Sequence, residues 1–296
     1  MKKFIDDIVI ALKGVAMGAA NIIPGVSGGT IALITGIFER LVEALNSIMT
    51  LDTWKILLKG NFREFWKKID GRFLVDLMIG VLVSILSLAK LMEYLLHNHP
   101  VQTWAFFFGL IIASSILMLK DIKDWTFKDV IFTIIGIILG LVVCTLTPTE
   151  TPDALWFVFL CGAIAICTMI LPGISGSFIL VILGQYDHIM TALNDTNLLV
   201  VSVFGLGCVI GLLAFSKFLH WLLARYQRPT LLILIGFVLG ALVKVWPWSD
   251  KAALIAADGS LDNLHIPGAI IYSILGVLLV IGLELLSHRH KESSED

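Results

Sequence analysis

Residues 14–46, GVAMGAANIIPGVSGGTIALITGIFERLVEALN, align without a gap with residues 162–194, GAIAICTMILPGISGSFILVILGQYDHIMTALN, at a constant offset of 148. Twelve of the 33 positions are identical. The identities cluster at Pro24/Pro172, Gly25/Gly173, Ser27/Ser175 and Gly28/Gly176, with Gly36/Gly184 further on. Each copy is an apolar stretch interrupted by Pro-Gly-x-Ser-Gly, residues that stop a helix and let the backbone turn sharply. Working outward, Lys90-Leu-Met-Glu-Tyr-Leu-Leu before Pro100 and Gly109 parallels Lys217-Phe-Leu-His-Trp-Leu-Leu before Pro229 and Gly236, so the duplication extends beyond the breaks.

The chain around these copies has 296 residues, 58% hydrophobic and 15% charged, with mean hydropathy +0.94. A soluble domain usually has about 45–50% apolar and about 25% charged residues, so the composition points to one integral membrane unit. A balance of 21 basic and 23 acidic residues lacks the basic excess of a nucleic-acid binder. Cys144, Cys161, Cys167 and Cys208 lie in apolar runs at spacings that suit neither a zinc site nor a disulfide framework. No metal or cofactor is expected.

A helix crosses the hydrocarbon core in about 20 mostly apolar residues. Six runs qualify: 73–96, 101–119, 129–147, 197–216, 229–246 and 267–287. The interrupted stretches 4–49 and 154–194 complete the pattern. Each half then reads as one broken hairpin plus three spans: a first repeat over 1–147, with a cytoplasmic segment at 50–72, and a second over 148–296 ending in a short cytoplasmic tail. Lys and Arg set the orientation. Seventeen lie in the termini and in connections 50–72, 120–128 and 217–228, against Lys251 alone in the alternate connections. Both termini are therefore expected in the cytoplasm. Three spans per half invert the second copy relative to the first. The expected fold is an all-α membrane protein with an inverted-topology repeat and a re-entrant hairpin in each half, the plan of many secondary transporters.

Non-helical backbone survives at membrane depth only where it is buried or lines a cavity, so the two breaks are the candidate site. Ser27, Gly28, Gly29 and Thr30 in the first, with Ser175, Gly176 and Ser177 in the second, combine hydroxyl donors with the free N–H groups of an outgoing half-helix. That combination suits an oxyanion. The same residues also suit a plain hairpin turn with serine as N-cap; a second copy in the opposite orientation favours the anion. Lys90 and Lys217 are intramembrane cations at repeat-related positions and read as docking points for an anion, or as snorkelling side chains. Glu39-Arg40 aligns with Asp187-His188. These pairs read as solvated helix ends, or as gating or proton-coupling groups, with Arg40 a further phosphate contact.

The two hairpin sequences, the Trp-Pro-Trp at 246–248 and the Ser216-Lys217 pair strongly resemble the polyprenyl-phosphate transporter (PopT) family of bacterial membrane proteins. The likeness covers essentially the whole chain. It implies a lipid transporter of the cytoplasmic membrane, not an enzyme, that returns undecaprenyl phosphate, the carrier lipid of cell-wall synthesis, from the outer to the inner leaflet. The implied partners are that lipid and the surrounding membrane lipids, with a homo-oligomer left open. Two alternatives stand beside it. One is a carrier of small soluble anions. The other is an undecaprenyl-diphosphate phosphatase, whose Pro-Gly-x-Ser-Arg-Ser loop and Glu-x-x-x-Glu pair are echoed by Ser175-Gly176-Ser177 and by Glu39 and Glu43. Gly28 and Gly176 stand where that enzyme's arginine would be, so the electrostatic stabiliser of phosphoryl transfer is missing.

Overall fold

A computed structural model describes residues 2–22, 27–149, 151–248 and 265–292; Pro24, Gly25 and Val26 of the first break lie outside them. All regular structure among the described residues is helical. Helices α1 (Lys2–Ile22), α2 (Gly28–Ile34) and α3 (Phe38–Ile48) precede two short helices, α4 (Leu51–Leu58) and α5 (Phe62–Lys68). Then come α6 (Gly71–Asn98), α7 (Pro100–Asp121) and α8 (Phe127–Thr145). The second half holds α9 (Leu155–Ile170), α10 (Gly176–Ile182), α11 (Tyr186–Asn194), α12 (Leu198–Val245) and α13 (Ile266–Glu292). The chain forms two compact units, Met1–Ala89 with Thr145–Leu234, and Lys90–Cys144 with Ile235–Asp296. Each draws one stretch from each half of the sequence. Both breaks lie in the first unit.

Among the described residues, four helices are long and apolar enough to cross a membrane, Gly71–Leu88 within α6, then α7, α8 and α12; α10 with α11, bent by 112°, makes a fifth if counted as one broken span. The protein is an integral membrane protein.

The structure refines the sequence expectation in two places. The connection expected at 217–228 narrows to a kink within α12, where two helices meet. Its one non-helical residue is Tyr226, at φ −136° and ψ 49°. Pro229 falls in the first turn after that kink, where a missing N–H costs little, and Thr230 Oγ1 donates to Tyr226 O at 2.7 Å with Leu222 O at 3.5 Å. The α6–α7 junction has the same construction 127 residues earlier. His99 has φ −136° and ψ 50°, and Thr103 Oγ1 donates to His99 O at 2.8 Å with Leu95 O at 3.2 Å.

The second refinement is an extra break in each hairpin. The outgoing arm is two short helices joined at Gly36 (φ +71°) or Gly184 (φ +65°). The same hydrogen bonds close both turns. Ile37 N donates to Ala32 O and Gln185 N to Leu180 O, each at 2.9 Å, while Gly36 N reaches Leu33 O and Gly184 N reaches Val181 O. This is the left-handed glycine C-cap. The charged segment 50–72, for which the sequence reading assigns no secondary structure, holds α4 and α5.

Small residues let the long helices approach closely, the usual basis of helix association in lipid. In the first unit, a Cβ at Gly14 would collide with Leu77 O, at Gly18 with Val81 O, and at Gly80 with Ala11 O, so α1 and α6 cross backbone to backbone. Gly162 on α9 abuts Phe204 O, and Gly207 abuts Phe159 O, so α9 and α12 repeat that crossing. The second unit uses Gly109 and Gly276 between α7 and α13, and Gly140, Gly236 and Gly240 between α8 and α12.

Gly80→Val is expected to lower the thermal unfolding midpoint of the detergent-purified protein, an overpacking cost of about 1–3 kcal/mol. Gly205→Ala, whose new methyl meets nothing within 4 Å, should leave the midpoint unchanged or raise it. Equal midpoints for the two variants would contradict the close crossing.

Candidate functional site

The two interruptions are built alike and then joined. Ile22 and Ile170, 148 apart, are the last residues of α1 and α9. Ser27 and Ser175 are the N-caps of α2 and α10, both in extended backbone. Ser27 Oγ accepts from Gly29 N at 3.1 Å, and Ser175 Oγ accepts from Phe178 N at 3.2 Å. The N-cap role open in the sequence is therefore observed at both serines.

Ser27 is 1% exposed, and its hydroxyl hydrogen goes to the end of α9, with Leu171 O at 3.2 Å and Met169 O at 3.4 Å. These are carbonyls that the end of a helix leaves without partners. In return, Gly173 N donates to Thr30 Oγ1 at 2.7 Å; Thr30 is also 1% exposed. Gly173 has φ +96°, a conformation in which an L side chain would be strained. Gly29 has no room for a side chain, since its Cβ would sit 2.6 Å from Ile170 O. The first break thus supplies the groups that hold the second.

The second break keeps its serines for itself. Ser175 Oγ and Ser177 Oγ are 3.3 Å apart, with Ser175 half-buried and Ser177 exposed. One difference between the copies lies one turn back. Gly28 N donates to Asn21 Oδ1 at 2.7 Å, whereas at the aligned position Met169 lies against Gly176.

The charged residues expected at the site are placed around the hairpin arms. Arg40 forms a two-pronged ion pair with Asp70, Nε to Oδ2 at 2.6 Å and Nη2 to Oδ1 at 3.1 Å, and its guanidinium lies 4.3 Å over the Phe73 ring. Asp70 adopts φ +51° to present its carboxylate, a conformation Asp tolerates better than most residues. Glu39 accepts from Gln227 Nε2 at 2.9 Å on both oxygens, which ties α3 to the residue after the α12 kink. Asp187 is exposed, and His188 Nδ1 lies 3.6 Å from Asp153 Oδ2. Lys217 is exposed on α12 beside Ser216, which is 1% exposed and has no partner for its hydroxyl among the described residues. Lys90 is exposed on α6 and belongs to the second unit. Among the described residues, neither lysine appears in the hydrogen bonding of the breaks.

Several contributors were not singled out by sequence reasoning. Lys13 Nζ donates to Thr35 O at 2.7 Å, placing a cation on the C-terminal end of α2, where the helix dipole favours it. At the aligned end of α10 a neutral group does this work, Thr151 Oγ1 donating to Leu183 O. Gln185, fully buried, donates from Nε2 to Asp153 Oδ1 at 2.9 Å and Thr151 Oγ1 at 3.2 Å. Asn21, Lys13 and Gln185 share one signal, a polar side chain inside an otherwise apolar hairpin.

A family model described as undecaprenyl phosphate translocase-like matches residues 17–261. A Vibrio cholerae serotype O1 protein named polyprenyl-phosphate transporter is 47% identical over 242 residues, 81% of this chain and 77% of that protein. A Staphylococcus aureus protein of the same name is 35% identical over 254 residues, 80% of this chain and 85% of that one. No solved structure matches the chain significantly.

Thr30→Val leaves the buried Gly173 N–H without an acceptor, at an expected cost of about 1–3 kcal/mol, whereas Thr30→Ser keeps the acceptor. The thermal midpoint should fall for the valine variant and largely recover for the serine one. Equal loss in both would contradict the Thr30–Gly173 hydrogen bond as the cause.

Proposed function

The chain belongs to the undecaprenyl phosphate translocase-like family, and we propose that it is a transporter that carries a polyprenyl phosphate from the outer to the inner leaflet of the bacterial cytoplasmic membrane. On this reading it serves carrier-lipid recycling in cell-wall synthesis. The two halves are inverted repeats, both hairpins are re-entrant, and both termini face the cytoplasm. The names of the relatives support the substrate, and the loop-charge asymmetry supports the orientation.

The observation that carries the site assignment is the unequal use of the two breaks. Ser27 and Thr30 are buried and engaged, while Ser175 and Ser177 present neighbouring hydroxyls on the less buried side. A single phosphate group needs several donors and little volume, and its polyprenyl tail stays in lipid. Ser175, Gly176 and Ser177 receive the phosphate; Ser27, Gly28, Gly29 and Thr30 hold the receiving backbone in shape and take part as it passes. Lys90 captures the headgroup from the outer leaflet, and Lys217, with Arg40, accepts it inside.

The hairpin arms supply the gates. At the inner end, Arg40–Asp70 and Glu39–Gln227 hold α3. At the outer end, Gln185 and His188 hold residues 151–153 across the turn after α10. Opening one set while the other stays closed gives alternating access. Asp187, His188 and Glu39 are the groups available for proton coupling. Hydrolysis is disfavoured because Gly28 and Gly176 occupy the position of the cation that phosphoryl transfer needs.

Proteoliposomes with undecaprenyl phosphate detected separately in each leaflet test this reading. Wild type should equilibrate the lipid faster than protein-free vesicles. The double variant Ser175→Ala with Ser177→Ala, at normal protein level, should lose about tenfold or more, as expected for hydrogen bonds to a charged group. Wild type without transport would overturn the function, whereas an unimpaired double variant would overturn the site alone.

A further inference from the structure

The segment between the first hairpin and α6 has a surface that transport does not use. In α4 and α5, Thr53 and Phe65 are buried, and Phe65 packs against Trp54 at 5.5 Å between ring centroids. Ile56 and Leu57 are half-buried, and the other large apolar side chains of the pair point outward. Leu51 is 78%, Leu58 86% and Phe62 60% exposed, and Trp54 and Trp66 are exposed beside them. Leu51, Trp54 and Leu58 follow i, i+3, i+7 spacing and so form one stripe on α4. Phe62 and Trp66 stack one turn apart on α5, 5.8 Å between centroids.

Basic side chains flank this stripe. Lys55 is paired with Asp52 at 2.7 Å, and that ammonium holds the Asp52 carboxyl below its usual range. Asn61 Nδ2 donates to Glu64 Oε2 at 2.6 Å, and Glu64 N donates to Asn61 Oδ1 at 3.2 Å. Lys59, Arg63, Lys67 and Lys68 are all exposed.

A soluble partner could cover such a surface, but the chain path favours lipid. Leu51 begins three residues after the end of α3, and Lys68 lies three residues before the first membrane-crossing stretch. A short helix pair tethered this closely at both ends stays at the bilayer surface. An apolar stripe with tryptophans and a net positive flank is the make-up of an interfacial helix on an anionic leaflet.

We propose that Leu51–Lys68 is an interfacial hairpin that seats Leu51, Trp54, Leu58 and Phe62 at the acyl boundary and binds anionic phospholipid headgroups through Lys59, Arg63, Lys67 and Lys68. The proposal is independent of transport, and its readouts do not use transport.

Two measurements on the full chain test it. In nanodiscs of phosphatidylcholine and phosphatidylglycerol at three to one, a fluorophore on Leu58→Cys, with the four native cysteines replaced by alanine, is read against the same label on Glu64→Cys. A nitroxide lipid should quench the first several-fold more strongly than the second. In the second measurement, native mass spectrometry of protein with its own cysteines, equilibrated with equal amounts of the two lipids, should show phosphatidylglycerol retained in excess. Each charge removed among Lys59→Gln, Arg63→Gln, Lys67→Gln and Lys68→Gln should reduce that excess by about fivefold, from the usual strength of a lysine or arginine near an anionic surface. A label at position 58 open to an aqueous quencher would overturn the proposal. So would a label shielded from both quenchers, which would place another protein there, or an unchanged lipid excess in the fourfold variant.

Discussion

Everything described for the first unit depends on satisfying backbone polar groups where two apolar helices stop. α9 ends with carbonyls at Met169 and Leu171 that have no helical partner, and Gly173 offers an N–H in a turn. Water would satisfy them at the surface of a soluble protein, but in an apolar interior another part of the chain must. The first break does so with the Ser27 hydroxyl for the carbonyls and the Thr30 oxygen for the amide. Glycine at 29 is what allows α2 to come close enough. Two interruptions that would each be costly alone therefore become one satisfied junction.

The duplicated sequence is expressed in the backbone more faithfully than in side-chain roles. Serine N-caps, left-handed glycine turns and threonine-bridged kinks recur at matched positions, including nearly identical dihedrals at His99 and Tyr226. The polar side chains have diverged. Asn21 faces Gly28 where Met169 faces Gly176, and Lys13 holds the end of α2 where Thr151 holds the end of α10. Divergence of this kind gives the two ends of a repeated structure different chemistry.

The positions of both breaks, their serine caps and the long apolar helices were legible in the sequence, because helix breakers and apolar length act locally. The second interruption at Gly36 and Gly184 was visible as an aligned pair yet went unread, since one glycine inside an apolar run does not by itself separate a turn from a close packing contact. Residues 217–228 looked like a connection because they are charged and precede Pro229. The break is confined to Tyr226, where two helices meet, because the proline falls in the first turn of the second helix and Thr230 donates to the carbonyl at the kink. The pairing of Arg40 with Asp70 and of Glu39 with Gln227 spans 30 and 188 residues, and no local pattern encodes such distances. The use of Ser27 and Thr30 as holding groups depended in the same way on which strand of backbone lies opposite them.

The claim that the two breaks hold each other is tested most directly by amide hydrogen exchange at Gly173 in the nanodisc-embedded protein. Exchange should be slow in wild type and much faster in Thr30→Val, with Thr30→Ser close to wild type. Rapid exchange at Gly173 in the wild-type protein, at the rate of an exposed loop, would contradict it.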